Sequence, residues 1–215
     1  MCSSFSISNI QKNQVFLFRA GHNDLHLHGG RRYVSILGRF CSSCLSGRLR
    51  PEEIGPAAPP EAVTLAEWPV VIPPETRPKA SEESLAPGLW LGTRALELTP
   101  QVLADYLRDV RETAPIYAEQ GIAHPGLVLR MCNWLLTQNV VLGPWIHIGS
   151  KLRFHGEARL GERLTARGRI SANIERKGHR IVTIEALVLA NEARPVARVR
   201  HEAIWRPRQV AEAGG

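Results

Sequence analysis

Residues 112–139, ETAPIYAEQGIAHPGLVLRMCNWLLTQN, decide the fold. They divide into a short loop with Pro115, a His124-Pro125-Gly126 start, and a helix nearly covered by Leu127, Val128, Leu129, Met131, Cys132, Trp134, Leu135 and Leu136. A helix that is apolar on almost every side has no face to give to water and must be enclosed. Its polar exceptions, Arg130, Asn133 and Thr137, are spaced three and four apart and therefore share one stripe. That stripe faces solvent, a subunit seam or a pocket, and in the last case Arg130 and Asn133 line it.

The segments on either side supply the enclosure. Upstream, residues 88–98 read as a strand with a glycine bend, and Thr99-Pro100 offers an N-cap followed by proline at the first helical position. The helix that follows runs to about Arg111, with Val102, Leu103, Tyr106, Leu107 and Val110 on one face. Downstream, residues 145–155 alternate, with Ile146, Ile148, Leu152 and Phe154 as the apolar face and an irregularity at Gly149-Ser150. From Arg163 to Ile174 the alternation is strict, the pattern of a strand with one covered face. Lys177-Gly178 marks a hairpin turn, and residues 179–190 are almost continuously apolar, as in a central strand covered on both faces. Residues 191–194 turn again before a last strand at 196–205. Successive hairpins imply an antiparallel sheet, so the fold class is α+β.

With 215 residues, 44% of them hydrophobic, the chain can build one sizeable core, and it has no apolar run long enough to span a membrane. The net charge of +7 is concentrated at one end: residues 1–50 hold seven Lys/Arg against Asp24 alone, leaving 20 basic and 19 acidic residues elsewhere. The body is close to neutral, so nucleic acid is not the expected partner. Residues 1–58 read as a basic, Ser/Arg-rich extension, expected to be disordered, and residues 59–87 as a Pro-rich linker. The folded domain is 88–208 and a polar tail occupies 209–215. The expected location is cytoplasmic, or the mitochondrial matrix if the extension is a transit peptide. Cys41-Ser-Ser-Cys44 is a single CxxC with no second pair, and His22, His26 and His28 lie in the same extension. Both read as incidental, Cys132 reads as a small core residue, and no metal or cofactor is expected.

A strand, a helix, a loop, a long buried helix and consecutive antiparallel strands follow the order of the hot-dog fold. Residues 88–206 resemble the MaoC-like hydratase/dehydratase family through GLWLGTRALELTPQVLADYLRDV, ETAPIY, GIAHPGLVL and LRFHGEARLGERLTARGRI. In that family an Asp-x-Asn-Pro-x-His loop supplies an acid/base pair acting on a CoA or carrier-protein thioester. Glu112 stands at the Asp position, Ala114 at the Asn, Pro115 at the Pro and Tyr117 at the His. The helix start that holds the thioester carbonyl corresponds to Ala123-His124-Pro125-Gly126, with one inserted residue. The resemblance therefore implies Glu112, Tyr117 and His124 as catalytic residues and an acyl-CoA or acyl-carrier thioester as the bound molecule.

The residues bring their own constraints. Tyrosine ionises near pH 10, so Tyr117 makes a poor base. Pro125 has no N–H, which leaves Gly126 and Leu127 as the donors of a helix-end oxyanion site. Such a site supports enoyl hydration or 3-hydroxyacyl dehydration, thioester hydrolysis, or binding without turnover as one subunit of a hot-dog homodimer or heteromer. His147 and Glu185 are further polar candidates on the strands, read as structural.

Overall fold

A computed structural model describes residues 62–208. Six strands form one antiparallel sheet: β1 (Trp90–Gly92), β2 (Leu96–Glu97), β3 (Ile146–Phe154), β4 (Arg163–Arg176), β5 (His179–Ala190) and β6 (Arg194–Arg206). Their order is β1-β4-β5-β6-β3, with β2 also pairing β4, so residues 88–98 supply two short strands separated by a break. The helices are α1 (Pro100–Val110), α2 (Ile116–Gln120) and α3 (Pro125–Thr137). This is the hot-dog arrangement, with α3 packed against β1, β4, β5 and β6.

Helix α1 begins as its sequence requires: Thr99 Oγ1 accepts from the Val102 N–H at 3.2 Å, and Pro100 follows the cap. Helix α3 is enclosed because Leu127, Met131, Cys132, Leu135 and Leu136 have no exposed surface. Gly168 on β4 permits that contact, since a Cβ there would lie 2.7 Å from Leu135 and 2.8 Å from Ile184. The β4–β5 turn places Lys177 and Gly178 both at positive φ, the geometry of a two-residue hairpin.

Strand β5 is covered on both faces. One side packs on α3, and on the other Leu187 and Leu189 lie beneath Trp68, joined by Val63, Leu65 and Trp90. Trp68 is only 9% exposed and Leu85 is fully buried, so residues 62–87 pack against the sheet instead of hanging as a free linker. Proline excludes long helices from this stretch but does not prevent an extended strap from burying Trp68 and Leu85, while Val70 and Ile72 stay exposed. The basic extension, the CxxC pair and the three N-terminal histidines lie outside the described residues.

Two of the four register irregularities among the described strands change which side chains face the core. One between His147 and Gly149 turns His147 and Ser150 inward and leaves Ile146 44% exposed, against the apolar face expected for that strand. Another between Ile170 and Ala172 brings Asn173 to the core side opposite Val182, where it binds the Leu85 carbonyl and the Trp205 indole, and Ile174 is 49% exposed. No helix among the described residues is long and apolar enough to cross a membrane.

Candidate functional site

Two left-handed turns bring residues twelve positions apart into contact. At the end of α1, Arg111 adopts φ 55° and the Glu112 N–H returns to the Leu107 carbonyl at 2.9 Å, closing the helix and reversing the chain. After α2, Gly121 at φ 61° makes a second reversal, and the Ala123 N–H pairs with the Ala158 carbonyl at 2.8 Å. The result sets Glu112 Oε2 3.3 Å from His124 Nε2, with side-chain exposures of 17% and 6%.

Both partners are fixed from their far sides. Glu112 Oε1 accepts from the Ala114 N–H at 2.8 Å, and His124 Nδ1 accepts from the Gly126 N–H at 3.0 Å. An Nδ1 that accepts is unprotonated, so neutral His124 carries its proton on Nε2 and donates it toward Glu112. Burial lowers the His124 pKa, and the Glu112 charge and hydrogen bond oppose the shift without cancelling it. The pair is therefore a carboxylate facing a neutral imidazole N–H.

Two tyrosines flank the imidazole. Tyr117 from α2 meets its ring edge-on at 4.8 Å between centroids, and Tyr106 from α1 lies tilted at 5.6 Å. Burial pushes the Tyr106 pKa up to about 12, and burial followed by the nearby Glu112 charge also raises that of Tyr117. Neither ionises near neutral pH, so Tyr117 is no base here, and both present neutral hydroxyls. The Arg130 guanidinium lies 4.6 Å from the Tyr106 ring centroid, a cation–π contact that puts Arg130 beside the cluster. Asn133, on the same stripe of α3, is buried with its Oδ1 unpartnered among the described residues.

The expected oxyanion donors are otherwise engaged. The Gly126 N–H is taken by the His124 ring and the Leu127 N–H by the His124 carbonyl at 2.9 Å. The physical reason is the N-cap: a histidine side chain occupies the acceptor position at the start of α3 and satisfies the orphan amide that a ligand was expected to find. Gly126 is required for another purpose, because a Cβ there would lie 2.2 Å from the Tyr106 hydroxyl. Sequence reading placed Tyr106 on an apolar helix face and missed its place beside His124. The only signal was its position one and a half turns before Glu112.

Two other features belong elsewhere in the fold. An open groove of about 280 Å³ lies between the strap at 70–73, residues 93–95 and β4, and none of the site residues lines it. Its wall includes the buried Arg167, whose guanidinium is held by the Trp68 and Glu192 carbonyls. His147, Ser150 and His201 form a buried polar cluster between β3 and β6, with Ser150 Oγ 2.9 Å from a nitrogen of each ring. Those rings stack at 4.5 Å and 8°. Glu185 lies on the outer side of β5, 3.7 Å from Arg200. Among the described residues no group of three or more His, Cys, Asp or Glu is arranged to hold a metal.

Neither a family model nor a curated protein matches the sequence. Solved structures do resemble the fold. A monoamine oxidase regulatory protein from Archaeoglobus fulgidus is 16% identical over 60% of this chain and 96% of its own, with a TM-score of 0.51. The (R)-hydratase from A. caviae involved in PHA biosynthesis is 17% identical over 56% of this chain and 97% of its own, with a TM-score of 0.48. A MaoC-like dehydratase from Rhodospirillum rubrum is 17% identical over 58% and 96%, also at 0.48. At 16% identity and a TM-score of 0.51, the likeness to the Archaeoglobus protein bears on the fold alone, and the chemistry rests on the residues of this chain.

Proposed function

We propose that the Glu112–His124 site binds an acyl-CoA or acyl-carrier thioester and adds or removes water across its α,β-bond, with Glu112 as the proton-transfer group. The observation that carries this is the 3.3 Å contact between a carboxylate and a neutral imidazole in a shielded position. A base and a hydrogen-bond donor held together, with water largely excluded, suit proton transfer at carbon. Since His124 Nδ1 is occupied and Nε2 carries the proton, the imidazole has no free lone pair, and Glu112 is the available base.

In the hydration direction, Glu112 takes a proton from water as the oxygen bonds to the β-carbon and the thioester becomes an enolate. Protonated Glu112 then gives that proton to the α-carbon. The sum is H and OH across the double bond, and dehydration runs the same steps backward. His124 Nε2–H orients the carboxylate and the attacking water. The neutral hydroxyls of Tyr106 and Tyr117 take the part first expected of the Gly126 and Leu127 amides, donating to the enolate oxygen. The chemistry requires no cofactor beyond the CoA or carrier portion of the substrate.

The test is incubation of the full chain with crotonyl-CoA and longer (E)-enoyl-CoA substrates, following both loss of the enoyl chromophore and release of free CoA. Hydration that disappears in Glu112→Gln supports the proposal. Free CoA release without hydration makes the protein a thioesterase in which Glu112 activates water. Binding without either product makes it a non-catalytic thioester-binding subunit. Both of these outcomes overturn the hydro-lyase reading.

A further inference from the structure

We propose that the open groove between the strap at 70–73, residues 93–95 and β4 binds a small amphipathic monoanion, a carboxylate carried on a short apolar chain. The groove holds about 280 Å³ and shares no residue with the Glu112–His124 site. Its walls are tied to one another. Val71 rests on Gly92, where a Cβ would lie 1.7 Å from the Val71 carbonyl oxygen, so the strap takes a path that only glycine admits. Thr93 Oγ1 accepts from the Ala166 N–H at 2.8 Å, and the Thr93 N–H donates to the Ala166 carbonyl at 3.1 Å, which fixes 93–95 to β4. The Arg167 guanidinium closes the frame by donating to the carbonyls of Trp68 and Glu192 at 2.8 and 3.2 Å. A groove framed in this way is formed before its ligand arrives and avoids the cost of ordering it.

The charge on these walls is unbalanced. Arg94, Arg163 and Arg167 line the groove together with Glu192. Arg163 is met by Glu97 at 2.7 Å. Arg167 is only 9% exposed, yet both of its partners are carbonyls and neither is a carboxylate. Arg94 is engaged only through its backbone N–H, by Gln138 Oε1 at 2.7 Å, and its side chain makes no ion pair among the described residues. Counting Glu97 against Arg163 and Glu192 against one of the others still leaves one positive charge in excess. A guanidinium withdrawn from water without a carboxylate carries a desolvation penalty that an anion offsets, and its planar fork matches a carboxylate. Thr165, between Arg163 and Arg167 on the same outward row of β4, adds a hydroxyl with no hydrogen-bond partner among the described residues.

The strap supplies the apolar part. Val70 is 65% exposed and Ile72 85%, with Pro73 and Ala95 beside them in the groove. Large apolar side chains left in water next to arginines suit a ligand with an anionic head and an apolar body. An excess of one charge matches a carboxylate better than a phosphate monoester, which carries about −1.5 to −2 at pH 7. The volume lies at the lower end of ligand pockets, about 300–1,000 Å³, and limits the body to a short chain. The inference does not depend on the reaction at Glu112.

The test titrates octanoate, acetate, octylamine and octyl phosphate into the full chain by calorimetry, with amide chemical shifts locating the site. Octanoate should bind about tenfold or more tighter than each of the other three, as expected when a charged hydrogen bond or the apolar contact is lost. Its shifts should fall at residues 70–72, 93–95 and 163–167. Arg94→Ala and Ile72→Asp alter exposed side chains, so the fold survives, and each should weaken octanoate by about tenfold. No binding, a smaller preference for octanoate, an affinity unchanged in either variant, or shifts centred on residues 112–126 overturns the proposal.

Discussion

Acidification should unfold this protein through the stacked pair His147 and His201. Burial pushes His147 down to about 4 from 6.5, and burial together with the neighbouring His147 pushes His201 well below its ordinary value. Both rings are therefore neutral when folded at pH 7. A histidine with a depressed folded pKa contributes its full stability above the unfolded value near 6.5. That contribution falls as pH drops, because the unfolded chain takes up the proton first, and it levels off below the folded pKa. For His147 the difference of 2.5 units corresponds to about 3 kcal/mol lost between pH 6.5 and 4. His201 and His124 add in the same direction.

Urea unfolding at a series of pH values from 7.5 to 4 measures this effect. The control is His147→Gln, which keeps a polar partner for Ser150 and removes one titration. The variant should be less stable at pH 7.5 but lose less on acidification, so that the two curves converge toward pH 4. Carboxylates protonate in the same range, and the depressed Glu162 loses its contribution as pH falls through its folded pKa. The difference between wild type and variant cancels that shared loss. Parallel curves would refute the account of the buried pair.

Two further predictions concern the site and the core. Gly126→Ala should destabilise the fold by about 1–3 kcal/mol, because its Cβ would lie 2.2 Å from the Tyr106 hydroxyl, and Tyr106→Phe should recover most of that loss. Thermal or urea unfolding of the single and double variants measures this, and an additive result contradicts the packing assignment. The Cys132 thiol, fully buried and pushed up to about 12, should resist iodoacetamide in the folded protein and react only after unfolding. Peptide mapping of the labelled chain checks it, and native labelling at Cys132 would show that α3 opens.

Much of the fold was legible in short-range patterns. The Thr99-Pro100 cap, the apolar surface of α3, the paired hairpin turns and the all-apolar β5 each carry a local physical instruction that the tertiary structure follows. The bulges were not legible in full. An extra residue at 147–149 costs the sequence nothing in composition, yet it reverses which side chains face inward and buries His147 with Ser150. Nor did proline content reveal that Trp68 covers the outer side of β5.

The site was legible as a set of residues but not as an arrangement. Glu112 and His124 were both candidates, whereas their meeting depends on the left-handed turns at Arg111 and Gly121. The Gly126 amide was misread because helix-end logic counts orphan donors without asking whether the N-cap side chain is an imidazole that can accept. That one hydrogen bond also places the proton of neutral His124 on Nε2, which is why the proposed reaction gives the role of base to Glu112.

The measurement that bears most directly on the account is the hydration rate of Glu112→Gln compared with wild type, at matched fold and matched thioester binding. The amide keeps the size of the carboxylate and one acceptor oxygen for one of the two N–H donors, Ala114 or His124, but cannot carry the proton. The account predicts a fall of about 10²–10⁴-fold in turnover with binding of the enoyl-CoA retained. Unchanged turnover in Glu112→Gln would contradict it.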